Sequence, residues 1–167
     1  MTTPVSIRYA TPEDINTIGF LAQQTWPIAY GSILSGDKID YMLKLFYQPS
    51  SLVKQMLELK HSFILVEEEE EPLGFASFSP LPENGAYRIH KLYILPGKQG
   101  KGLGKAMIDY IQEAIQPLGA SVLRVNVYRK NAAKVFYERL GFSVISEEDI
   151  DIGNGYFMND YVMEKKI

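Results

Sequence analysis

No cysteine occurs anywhere in the 167 residues. Disulfides, zinc–thiolate sites and a cysteine nucleophile are therefore excluded, and no acyl group can be carried as an enzyme thioester. A chain without cysteine is compatible with a reducing compartment. No apolar run approaches the roughly 20 residues that span a bilayer, and Met1–Val5 has neither a basic nor an apolar leader region. A cytoplasmic protein with no membrane partner is expected. Positive charge is not in excess: 17 Lys and Arg stand against 20 Asp and Glu, net -3. The basic face of a general nucleic-acid binder is missing. Neither repeats nor a linker are visible. With 46% hydrophobic residues, one domain over residues 1–167 with a sizeable core is expected.

The most informative stretch is Leu92-Tyr93-Ile94-Leu95-Pro96-Gly97-Lys98-Gln99-Gly100-Lys101-Gly102-Leu103-Gly104-Lys105. It begins as an apolar strand and passes through a loop carrying four glycines. It then opens a helix whose apolar residues Leu103, Ala106, Met107, Tyr110, Ile111, Ala114 and Ile115 recur at helical spacing. Pro117 and Gly119 end that helix. Backbone N–H groups at a helix N-terminus, with glycines that admit a bulky anion and three nearby lysines, make a cradle for phosphate or pyrophosphate. It is not a P-loop, because Ala106 follows Gly104-Lys105 and Gln99 stands where the first glycine belongs. It is not a dinucleotide fingerprint either, because the third glycine would fall on Lys105.

Elsewhere the chain alternates strands and helices. Val5–Tyr9 reads as a strand, and Thr11, Pro12 and Asp14 start a helix that Pro27 ends or bends. One or two helices follow from Ser35 to Lys60, broken near Pro49. Ser62–Val66 and Leu73–Phe78 read as strands about a solvated turn of five glutamates. Tyr87–Leu95 feeds the glycine loop, and Ser121–Tyr128 is a further strand. Asn131 caps a short helix that Gly141 stops. A strand from Phe142, an acidic loop over Glu147–Asp151 and a strand over Tyr156–Lys165 complete the chain. Trp26, Tyr30 and Tyr41 suit either core packing or the wall of a substrate pocket. Glu147–Asp151 and Asp160 read as solvated carboxylates, although they would also suit a cationic substrate.

Gln99-x-x-Gly102-x-Gly104 resembles the acyl-CoA pyrophosphate loop of the GNAT N-acetyltransferases, Q/R-x-x-G-x-G/A. Asn131-Ala132-Ala133-Lys134-Val135-Phe136-Tyr137-Glu138-Arg139-Leu140-Gly141-Phe142 resembles the second signature of that family, N-x-x-A-x-x-F-Y-x-x-x-G-F, with Lys134 where alanine is commonest. The motifs stand in the family's order, one helix and one strand apart, and the close resemblance covers Arg88–Phe142. Trp26-Pro27-x-x-Tyr30 and the last strand also resemble, more weakly, a bacterial branch that includes polyamine acetyltransferases.

The resemblance implies an α/β fold with a mixed, mostly antiparallel sheet of about seven strands and helices on both faces. It implies acetyl transfer from acetyl-CoA to a small-molecule, polyamine or peptide amine by direct attack in a ternary complex. By the same carry-over, Leu92, Tyr93 and Ile94 bind pantetheine through their backbone. The N–H groups of Gln99, Gly100, Lys101, Gly102, Leu103, Gly104 and Lys105 hold the pyrophosphate. Asn126 or Asn131 bonds the pantetheine arm, Lys134 meets a phosphate, and Trp26, Tyr30 and His90 face the acceptor. Tyr137 matches the general-acid tyrosine. With reference pKa values of about 10 and 8.5, full proton transfer to a thiolate is uphill by roughly 2 kcal/mol, so a hydrogen bond to developing charge suffices. An alkyl amine with a pKa of about 10.4 must lose a proton. His90, Glu83 or a water chain are the candidates to take it. Two rivals remain, a non-catalytic acyl-CoA-binding regulator and, further off, a nucleotide-binding protein. A homodimer is left open.

Overall fold

The computed structural model describes residues 4–167; Met1–Thr3, the start of the stretch searched for a leader, lies outside them. Strand β1 (Val5–Tyr9) is followed by Thr11, whose N–H donates to Asp14 at 2.8 Å. A 3₁₀ turn over Pro12–Asp14 then opens α1 (Ile15–Tyr30). Pro27 does not end this helix. It removes the N–H that would pair with the Gln23 carbonyl, but Gln23 and Pro27 both lie on the exposed side, where water can replace the lost bond. The apolar face over Ile15, Ile18, Leu21, Ala22 and Trp26 holds the helix together across it. Two helices follow, α2 (Gly36–Tyr47), capped by Ser35, and α3 (Pro49–Leu57).

Strands β2 (Ser62–Glu68) and β3 (Glu71–Pro80) form a hairpin. Its turn is Glu69-Glu70 alone, both at positive φ (51° and 67°), the pair of conformations that a tight two-residue hairpin loop demands. Strand β4 (Ala86–Ile94) leads to α4 (Leu103–Ile115), β5 (Val122–Tyr128) and α5 (Ala133–Arg139). Strands β6 (Ser143–Gly153) and β7 (Tyr156–Lys166) close the chain. The acidic stretch expected as a loop is part of β6. It is an edge strand, and exposed charge is tolerated there and discourages pairing with another chain.

The seven strands lie in the order β1-β2-β3-β4-β5-β7-β6. Every neighbouring pair is antiparallel except β4–β5, which is parallel. Alternation along the buried strands feeds two cores. Ile64, Val66, Leu123, Val125 and Val127 pack with Met107, Ile108 and Ile111 of α4. Phe63, Leu65 and Phe75 pack with Ile18, Leu21 and Trp26 of α1 and Met42 of α2. Helices thus cover both faces, as the strand periodicity requires.

The feature that positions the site is where β4 and β5 part. Their pairing runs only from Ala86↔Val122 to Ile89↔Val125. Beyond Ile89, β4 continues to Ile94 on β3 and β5 continues to Tyr128 on β7. A register shift opposite Ser77/Phe78 leaves His90 as the extra residue of β4. Strict alternation along β4 is therefore broken at His90. Ile89 and Leu92 belong to one core, and Tyr93 to the other.

Candidate active site

The parting strands open two cavities that share a wall. The first, of about 620 Å³, is lined by Leu92–Ile94 of β4, Val125–Val127 of β5, the glycine loop and Asn131, Ala133, Phe136 and Tyr137 around α5. The second, of about 420 Å³, lies on the α1–α3 side. Tyr30, Ile89, His90, Lys91, Tyr93 and Asn126 line both.

The first cavity carries the features an acyl-CoA requires. Past Ile89 the edge of β4 toward β5 has no strand partner, so its backbone groups are open to an extended ligand arm. Among the described residues, no backbone bond takes the N–H of any residue from Gln99 to Lys105. Gly97, Gly100 and Gly102 stand at φ of 84°, 78° and 75°, a left-handed run that turns the loop into α4. Gly104 is needed for space, since a Cβ there would lie 2.9 Å from the Phe136 ring. Gln99 bonds the Ile94 carbonyl through its side chain at 3.4 Å, and Lys105 pairs with Asp109 at 2.7 Å. Asn131 Oδ1 accepts the Ala133 N–H at 2.9 Å and holds the start of α5 at the cavity rim.

Two expected contributors stand elsewhere, and a third keeps only its backbone N–H in the loop. Lys101 is exposed and lines neither cavity. Lys134 lies on another side of α5 from Ala133, Phe136 and Tyr137, and its ammonium sits 5.2 Å over the Tyr161 ring. Glu83 pairs with Arg124 at 2.6 Å and also lines neither cavity.

Tyr137 is 6% exposed, beside Phe136 and Phe142, and burial raises its pKa. Among the described residues its hydroxyl has no hydrogen-bond partner, so it remains a protonated donor. His90 lines both cavities. Its ring stacks on His61 at 4.0 Å, and its Nε2 lies 2.6 Å from the Ser79 hydroxyl. Burial first, then the neighbouring His61, Lys91 and Arg88, lowers its pKa to about 3. Trp26 and Tyr30 serve both readings offered for them. They are core residues whose rings lie 4.7 Å apart, and they also wall the second cavity. Tyr41 is structural, its hydroxyl donating to the Ile152 carbonyl at 2.6 Å.

The second cavity adds one group the sequence did not single out and one it read as solvated. Lys91 Nζ bonds Gln55 Oε1 at 2.8 Å beneath Phe46, Tyr47 and Phe63, and burial lowers its pKa to about 8. Asp160, expected in solvent, is 4% exposed. It faces inward from β7 and accepts from Asn126 Nδ2 at 3.3 Å. Burial, and then Glu148, raises its pKa against the pull of Asn126, Arg129 and Arg88. The signal for it was the alternation of β7, in which Asp160 shares a strand face with Met158 and Val162.

Comparison with known proteins agrees with this architecture. Residues 60–144 match the model of the acetyltransferase (GNAT) domain. An uncharacterized N-acetyltransferase of Bacillus subtilis (strain 168), YuaI, is 28% identical over 151 residues, covering 89% of this chain and 86% of that protein. A spermidine N(1)-acetyltransferase of Thermoplasma acidophilum is 24% identical over 167 residues, covering 97% of each. The crystal structure of PaiA N-acetyltransferase from Thermoplasma acidophilum in complex with coenzyme A superposes with a TM-score of 0.82 at 25% identity. That superposition covers 98% of this chain and 99% of the other.

Proposed function

The chain belongs to the GNAT acetyltransferase family, and from that premise we propose that its split-sheet cleft joins an acetyl-CoA in the first cavity to a primary amine in the second, within one ternary complex. Residues 1–167 then form a single N-acetyltransferase domain. The observation that carries this is the pair of cavities meeting at the parted strands, one ending on a row of unpaired backbone N–H groups and the other on buried polar side chains.

When bound, acetyl-CoA supplies an activated acetyl thioester. The chain's part is to hold and orient it. The open edge of β4 at Leu92, Tyr93 and Ile94 pairs with the pantetheine arm, assisted by Asn126 and Asn131. The N–H groups from Gln99 to Lys105 take the pyrophosphate, with the positive end of α4 behind them. Tyr137 gives a hydrogen bond to the sulfur as negative charge develops. With its pKa raised by burial, it donates that bond without yielding its proton completely.

The amine must present a neutral nitrogen. Burial moves the two inward-facing candidates for base in opposite directions, lowering His90 away from amine basicity and raising Asp160 toward it. We assign the proton-accepting role to Asp160, directly or through a water. His90 becomes a neutral wall of the junction, fixed by Ser79 and His61. The lack of cysteine fits attack without an acyl-enzyme. Thiol release from acetyl-CoA, measured with a panel of primary amines, tests the reading. Acceptor-dependent release is expected. CoA binding without release for any amine would instead favour a non-catalytic acyl-CoA sensor.

A further inference from the structure

Buried polar atoms without partners are few in a folded protein, and each calls for an explanation. Here five of them belong to residues lining the second cavity: Trp26 Nε1, Arg88 Nε, His61 Nδ1, Asn126 Oδ1 and Asp160 Oδ1. The set contains a cationic donor and an anionic acceptor. Lys91, whose ammonium is held by Gln55, adds a second cation to the same wall. The remaining lining is apolar and aromatic, from Phe46, Leu59, Ile152 and Met158. A linear polyamine would place two or more ammonium groups against Arg88 and Lys91, and like charges at close range in a partly dry cavity repel strongly.

Resting on the acetyltransferase reading, we infer that the acceptor is a free α-amino acid with an apolar side chain, its ammonium held at Asp160 and Asn126 and its carboxylate held at Arg88 and Lys91. Each charge of such a zwitterion meets an opposite charge already buried in the cavity. Three of the unpaired atoms then gain a partner of the right kind, Asp160 Oδ1 and Asn126 Oδ1 accepting from the ammonium and Arg88 Nε donating to the carboxylate. The apolar lining takes the side chain. Asn126 lines both cavities and donates to Asp160, so the ammonium end lies toward the thioester. The reaction balances simply: Asp160 or a water takes the ammonium proton, the neutral nitrogen forms the C–N bond to the acetyl carbon, the C–S bond breaks, and the second proton lost by the nitrogen passes to the thiolate, so that CoA leaves as the thiol.

The test compares kcat/KM by thiol release for leucine, leucinamide, 3-methylbutylamine and spermidine on the intact protein with saturating acetyl-CoA. Removing the carboxylate should lower kcat/KM about 10- to 100-fold, the scale of a buried hydrogen bond to a charged group. The amide's amine is less basic and more often neutral near pH 7, so this preference runs against intrinsic reactivity. In Arg88→Gln the acid-to-amide ratio should fall toward one. Spermidine or leucinamide turning over as well as leucine would overturn the inference and leave the transferase intact. No release with any of the four, together with loss of CoA binding, would remove the acetyltransferase reading and the inference with it.

Discussion

Replacing Tyr137 with phenylalanine isolates one atom. The ring packs between Phe136 and Phe142 at centroid distances of 5.0 and 5.5 Å, and phenylalanine keeps both contacts. The hydroxyl bonds no other described residue, so removing it strands no donor or acceptor. Stability should therefore change by less than about 0.5 kcal/mol. The pantetheine and pyrophosphate contacts proposed above lie away from the Tyr137 hydroxyl, so the Kd for CoA should hold within about threefold. The chemical step should suffer alone. Losing one donor aimed at developing charge costs on the order of 10² to 10³ in kcat, or about 3–4 kcal/mol. Thiol-release kinetics, calorimetric titration with CoA and a thermal melt measure the three quantities on one preparation. A kcat within threefold of the parent, with unchanged CoA affinity, would refute the assignment of Tyr137.

Four further outcomes are expected. Asp160→Asn, nearly identical in volume, should lower kcat by roughly 10² to 10⁴ while CoA titration stays unchanged; full activity would return the base role to another group. Gly104→Ala drives a Cβ to 2.9 Å from the Phe136 ring and should cost about 1–3 kcal/mol of stability and weaken CoA binding. Gly36→Ala, with nothing within 4 Å and a helical position, should be neutral or stabilising in the same melts. His61 and His90 titrate at about 4 and 3 in the fold, below the ordinary 6.5. The unfolded chain thus binds more protons in this window, and stability present above pH 6.5 falls as pH drops from 6.5 toward 4. Each histidine contributes at most about 1.4 kcal/mol per pH unit. Urea unfolding at several pH values should give a shallower slope for His61→Gln, and equal slopes would rule the stacked pair out as the cause.

Much of the fold was legible because local signals and tertiary needs agreed. The Thr11–Asp14 start, the Gly119 stop and the periodic face of α4 are written in single residues whose physics is local. The glycine loop and the Asn131–Phe142 segment were legible for the same reason. What escaped depends on neighbours distant in sequence. Pro27 looked like a terminator, yet the partner it deprives is exposed and the opposite face is buried. Glu147–Asp151 looked like a loop because an edge strand presents charge to water. Lys134 was placed at the ligand by motif position, and only the rotation of α5 shows that its side chain lies over Tyr161 instead. The position of His90 depends on a one-residue bulge that interrupts the alternation of β4. Asp160 was read by its charge, whereas its burial follows from β7 lying between β5 and β6.

The short parallel seam between β4 and β5 has a mechanical consequence. Strands β1–β4 and β5–β7 are each stitched by long antiparallel ladders, whereas four residue pairs join the two half-sheets. Within the sheet these two plates meet at a short seam, bridged from one face by the core under α4, and the proposed ligand arm lies where the missing rungs would be. Occupancy of that gap restores main-chain pairing on β4 and raises the cost of splaying the plates. Amide exchange should slow on β5 and β7 at positions the ligand never touches when the gap is filled.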